Sequence, residues 1–127
     1  MIELRNINFR YAGGTDAGGL VNIDLIIPDG QVILLCGQSG CGKTTLTRLV
    51  NGLIPNYYEG ELSGEVLLDG KNLTELSKKE LLALRQSIGM IFQGFNLLEQ
   101  RSVLKNVCFP LEIAGVDKKQ ARARAME

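Results

Sequence analysis

The first residues alternate apolar and polar side chains, with Ile2 and Leu4 in one phase and Ile7, Phe9 and Tyr11 in the other. A period of two marks a half-buried strand, and the slip of phase at Asn6 predicts a bulge within it. Residues 12–19, AGGTDAGG, are turn chemistry. Val21, Ile23, Leu25 and Ile27 then alternate with Asn22, Asp24 and Ile26, which predicts a second strand antiparallel to the first. Pro28, Asp29 and Gly30 close it with a turn. The next pattern differs in kind. Residues 32–36, VILLC, are apolar at every position, as in a central parallel strand covered on both faces.

That segment runs into GQSGCGKTT at 37–45, where Gly37, Gly42, Lys43 and Thr44 fill the pattern G-x-x-x-x-G-K-[ST]. Leu46, Leu49 and Val50 follow at helical spacing, and Asn51 and Gly52 are stop residues. Strand, glycine-rich loop and helix thus stand in the order a phosphate-binding loop requires. Glycines let the backbone wrap so that successive N–H groups converge on a polyanion, and the helix adds its positive end. Lys43 brings a point charge to the outer phosphates, and the Thr44 hydroxyl is placed to ligate Mg²⁺. Ser39, Gly40, Cys41, Gly42 and Thr45 are expected to supply the remaining contacts. The bland alternative is a glycine-rich turn that happens to carry Lys-Thr, and the flanking strand and helix argue against it.

After a loop at 54–64, IPNYYEGELSG, the stretch EVLLDG at 65–70 predicts a short strand. Ser77 and Glu80 form a capping box that opens a helix to about Ser87. IGMIF, at 88–92, predicts a second buried strand. Helical spacing resumes at Val103, Val107 and Leu111, with Pro110 expected to kink or end that helix. Asp117 with Gln120 opens another, KKQARARAME. The sum is an α/β chain whose 127 residues suit one domain or part of one.

Fourteen basic and fourteen acidic side chains cancel, so overall charge attracts the chain neither to nucleic acid nor to an anionic membrane. Lys118, Lys119, Arg122 and Arg124 are read as the solvated face of a helix. No apolar run approaches a bilayer span and the N-terminal residues are too charged for a signal peptide, so the expected location is cytoplasmic. Cysteines at 36, 41 and 108 lack metal-ligand spacing, and the chain has no histidine. Reduced structural thiols are the favoured reading. Cys41 is a small residue in a tight loop or, alternatively, a reactive thiol.

Four features beyond the loop resemble the ATPase domain of ABC transporters. Tyr11, closing INFRYA, matches the aromatic that stacks on adenine in that family. SGEVLLDGKNL is similar to its antiparallel strand and turn, and SVLKNVCFPLEIAG to the first helix of its helical subdomain. Gln93 in IGMIFQGFNLL matches the Q-loop glutamine, which touches Mg²⁺ or the attacking water and senses the membrane subunit. Gly94 departs from the acidic residue or histidine often found next. The likeness is composite: NGLIPNYYEGELSGEVLLDG resembles energy-coupling-factor and cobalt-type importer ATPases, and IGMIFQGFNLLEQRSVLKNVCFPLEIAG those of methionine and other amino-acid importers. A divergent natural protein and a chimera both accommodate this.

The resemblance implies a P-loop NTPase fold, truncated, with an antiparallel β subdomain and the start of a helical subdomain across 1–127. It implies ATP and Mg²⁺ as ligands, with Lys43 and Gln93 as catalytic groups and Tyr11 and the 39–45 loop holding the nucleotide. Thr44 and Gln93 are the metal ligands, and a membrane permease is the partner. The signature LSGGQ, an apolar strand ending Asp-Glu and a switch histidine do not occur in the sequence. LSGE at 62–65 and VLLD at 66–69 imitate two of these, but both precede the Q-loop and belong to the antiparallel subdomain. The isolated chain is therefore expected to bind ATP with little hydrolysis, and uncovered apolar strands are expected to drive self-association. A small-molecule kinase is disfavoured, since neither the Tyr11 strand nor the Q-loop segment has a role there.

Overall fold

Strand β1 (Ile2–Tyr11) is an interior strand of a four-stranded antiparallel sheet. It lies between β2 (Leu20–Ile27) and β3 (Gly60–Leu68), and β4 (Lys71–Asn72) pairs with β3. This computed structural model describes residues 1–14, 18–94 and 96–127. Part of the turn expected at 12–19, and Phe95 of the Q-loop segment, lie outside the described residues.

The bulge expected at Asn6 is present. Ile2, Glu3 and Leu4 pair with Ile27, Ile26 and Leu25, whereas Ile7 pairs with Ile23, one step out of register. Phe9 opposite Leu20 restores it, because β2 carries a compensating irregularity at Asn22. Asn6 (φ 48°) and Asn22 (φ 53°) are both left-handed, a conformation asparagine tolerates better than most residues. Side chains take up the backbone groups displaced from the ladder. The Asn6 N–H donates to Asp24 Oδ1 at 2.8 Å, and the Asn22 N–H to Asn8 Oδ1 at 2.9 Å. The second bulge shifts the phase of β2, so Leu20 is buried and Val21, expected inward, is 79% exposed.

On the other side of β1, Gly64 (φ +91°) faces the bulge, where an added Cβ would stand 2.4 Å from the Asn6 carbonyl oxygen. Strand β3 begins at Gly60, inside the segment read as a loop, because its first residues pair with Arg10 and Tyr11 of the long β1. Residues 62–69 lie in β3 and the turn after it, as the antiparallel reading required.

Helix α1 (Lys43–Val50) and the short helical turn α2 (Leu53–Asn56) lie against this sheet. Leu46 and Leu49 join Leu4, Ile7, Phe9, Leu20, Ile54, Val66 and Leu73 in one buried cluster. Helix α3 (Lys78–Arg85) opens on the expected capping box: the Glu80 N–H donates to Ser77 Oγ, and the Ser77 N–H to Glu80 Oε2 at 2.9 Å. Arg85, in its last turn, donates to the carbonyls of Asn51 and Gly52 at the end of α1, satisfying acceptors the helix leaves open.

Two expectations fail. Residues 32–36 and 88–92 are not strands, and among the described residues no parallel pairing joins them. Val32 and Leu34 are 99% and 83% exposed and Ile33 and Leu35 43% and 38%, so one side of the segment is bare and the other only partly shielded. Apolar side chains favour burial, but a strand is made by main-chain bonds to a neighbour, and among the described residues no strand pairs with either segment.

These elements form one compact unit, Met1–Ile88, and Gly89–Glu127 forms a second. The latter holds α4 (Val103–Ile113) and α5 (Lys118–Arg124), with Ser102 and Asp117 as N-caps and Cys108 and Ala121 buried. Asn106 pins the preceding loop, accepting from the Leu98 N–H at 2.8 Å and donating to the Leu98 and Arg101 carbonyls. Helix α4 runs through Pro110 rather than ending there. The ring's fixed φ is itself helical and only one N–H is lost, while the Ala114 N–H still closes on the Pro110 carbonyl at 3.0 Å. Among the described residues no helix is long and apolar enough to cross a membrane.

Gly64→Ala should destabilise the first unit by at least about 1–3 kcal/mol, from the left-handed backbone alone, as read by chemical denaturation. Ser77→Ala should cost about 1 kcal/mol and alter the acid limb of the stability profile. Hydrogen bonds from Ser77, its side chain first and its backbone second, lower the Glu80 pKa. That contribution is complete above the unfolded-state value and is lost as pH falls through the lower folded-state value. The variant should show a shallower acid decline.

Candidate phosphate-binding site

The loop at 37–45 owes its shape to two glycines in the left-handed region, Gly40 (φ +81°) and Gly42 (φ +97°). Their surroundings differ. A Cβ on Gly40 would meet nothing within 4 Å, but one on Gly42 would stand 2.8 Å from Leu20 Cδ2 and 3.0 Å from the Gly19 carbonyl oxygen. Gly42 is therefore the point where the loop closes onto the start of β2.

Helix α1 begins at Lys43 with no side-chain cap and no acidic residue in its first turn. Its leading N–H groups and positive end are thus free of internal anionic competition, which fits a phosphate ligand. The Lys43 ammonium folds back over the loop, donating to the carbonyls of Gly37 at 2.8 Å and Gln38 at 2.7 Å. Cys41 Sγ lies 3.6 Å from it, and all three cysteines are free thiols. The Thr44 side chain is exposed at the first turn. Thr45 is 3% exposed, and its hydroxyl donates to the Gly18 carbonyl at 2.6 Å. What Thr45 can offer a ligand is its backbone N–H.

Tyr11, at the end of β1, reaches the same place. Its hydroxyl lies 3.0 Å from Thr45 Oγ1 and accepts from Arg48 Nη1 at 3.0 Å. Its ring packs edge to face on Phe9 at 4.8 Å and on Tyr58 at 6.5 Å, while the Arg48 guanidinium sits 4.0 Å over Tyr58. The first unit thus gathers Tyr11, Ser39, Gly40, Cys41, Gly42, Lys43, Thr44 and Thr45 on and around one loop. Gln93 belongs to the second unit, exposed in a turn that precedes α4. Sequence reasoning missed Arg48, Tyr58 and Gly18. The one available signal was that Thr45 and Arg48 are three apart on a helix and share a face.

Gly40→Ala should cost about 1–2 kcal/mol for its backbone conformation, and Gly42→Ala distinctly more because its Cβ also overlaps β2. Denaturant midpoints of the two variants, compared directly, check the difference.

Comparison with known proteins places this geometry. A family model described as ABC transporter matches residues 20–127. The methionine import ATP-binding protein MetN of Carboxydothermus hydrogenoformans is 46% identical over 127 residues, covering 100% of this chain and 36% of that protein. MetN of Vibrio vulnificus is 45% identical over 128 residues with the same coverage. The chain thus spans a little over a third of the length of these curated relatives. Among solved structures, the dimeric post-hydrolysis state of an ATP-binding cassette bound to ADP and Pi superposes with a TM-score of 0.83 at 30% identity. That superposition covers 99% of this chain and 54% of the other. The fold is that of the ATP-binding cassettes, and the chain belongs to the ABC transporter family.

Proposed function

We propose that residues 37–45 bind the phosphates of ATP and that the chain, across 1–127, is the nucleotide-binding portion of an importer ATPase. That ATPase couples ATP hydrolysis to transport through a membrane permease. The observation that carries the reading is the Lys43 ammonium drawn over the loop at an uncapped helix start. A polyanion arriving there meets a fixed positive charge and converging backbone donors, without a carboxylate in the first turn to repel it.

In this reading Lys43 neutralises the outer phosphates, and Ser39, Gly40, Cys41, Gly42 and Thr45 contribute donors around them. Tyr11 presents its ring to the adenine. Mg²⁺, held by the Thr44 hydroxyl, would offset phosphate charge. The isolated chain turns over ATP slowly or not at all, since it has no histidine and no LSGGQ sequence. The same features favour the second reading, a non-enzymatic or chimeric nucleotide-binding module. The permease partner is supported by the names of the methionine-import relatives and by apolar side chains exposed on the second unit, Leu97, Val103 and Val107. Such a partner would hold the chain at the cytoplasmic face of a membrane. Exposed Val32, Leu34 and Ile91 support self-association of the isolated chain.

Calorimetric titration with ATP, with and without Mg²⁺, tests the reading. Saturable binding strengthened by Mg²⁺ is expected, weakened about 10- to 100-fold by Lys43→Ala, as loss of a charged hydrogen-bonding group implies. Binding absent from the folded chain, or unchanged in Lys43→Ala, would overturn it. Phosphate release above the Lys43→Ala background would favour a working ATPase over a passive module.

A further inference from the structure

We propose that the hydroxyl groups of Tyr11 and Thr45 hold the phosphate loop in place, making both positioning residues for phosphate binding whatever the Tyr11 ring does with a base. The inference rests on the reading of 37–45 as a phosphate site.

The proton directions follow from chemistry. Arg48 can only donate, so the Tyr11 oxygen accepts from it at 3.0 Å. The Thr45 hydroxyl spends its proton on the Gly18 carbonyl at 2.6 Å. Tyr11 must therefore donate to Thr45 Oγ1 across their 3.0 Å contact. The run continues through the backbone, for the Gly18 N–H donates to the Gly40 carbonyl in the middle of the loop at 2.9 Å. Arg48, Tyr11, Thr45, Gly18 and Gly40 thus form one directed chain from helix α1 and the end of β1 to the phosphate loop.

This run of bonds fastens the loop independently of the segment that leads into it. Residues 32–36 are not a strand and have no paired neighbour among the described residues. The loop is held to the sheet from the other side, by Gly42 against Leu20 and Gly19 and by this run of bonds. Breaking a middle link lets Gly18 move, and the Gly40 end of the loop with it. A Tyr11 that acted only through its ring would need no hydroxyl, and it would have no influence on a ligand without a base.

The test uses two ligands, Mg·ATP and inorganic tripolyphosphate, titrated against the unaltered chain and against Tyr11→Phe, Thr45→Val and Thr45→Ser. Unfolding midpoints are recorded for each to confirm the fold. Tyr11→Phe keeps the ring and is expected to weaken both ligands by a similar factor, about 3- to 10-fold, the worth of one net hydrogen bond. Thr45→Val should match it, Thr45→Ser should restore binding, and the double variant Tyr11→Phe/Thr45→Val should lose little more than either alone. Unchanged tripolyphosphate affinity in folded Tyr11→Phe would overturn the positioning role and leave the phosphate reading intact. Failure of the unaltered chain to bind either ligand would overturn both.

Discussion

The arrangement depends on how helix α1 is fastened to β1. Leu46 and Leu49 enter the same buried cluster as Leu4, Ile7 and Phe9, and at the open end of that contact the Tyr11 and Thr45 hydroxyls meet. Apolar burial supplies the strength of the joint, and the polar contact fixes its rotation. The helix seated this way begins at Lys43, and the backbone before it turns through the left-handed Gly42. The charge over the loop, the uncapped helix start and the closeness of Gly18 all follow from that seating.

Local features of this architecture could be read directly. The phase slip at Asn6, the Ser77 and Glu80 capping box, the stop at Asn51 and Gly52 and the order of loop and helix each depend on neighbours a few residues away. The misreadings share a different cause. Residues 32–36 and 88–92 carry the composition of buried strands, but pairing is a property of two segments, and composition reports on one. The phase of β2 was misjudged because its shift answers a bulge in another strand. Helix α4 continues past Pro110 to Ile113, so the proline does not end it.

At the candidate site the loop residues were legible because the phosphate pattern is contiguous. The contacts of Tyr11 and Gly18 with Thr45 and Arg48 were not, since they join positions up to 37 residues apart, and only the shared helix face of Thr45 and Arg48 follows from spacing. The same limit explains Gly42. Its motif position suggests a close approach to ligand, whereas the nearest atoms in the fold belong to Leu20 and Gly19.

The two offset asparagines in β1 and β2 bear on how the chain tolerates changes of length. Sliding either strand by one residue would separate Asn6 from Asp24 and Asn22 from Asn8 at once, and a slide of β1 would also bring a side chain of β3 rather than Gly64 against the kinked backbone. The strands are keyed to each other like a lock with two wards, so a single-residue insertion within either is rejected. Changes of length must therefore fall outside β1 and β2, whose alignment with each other stays fixed.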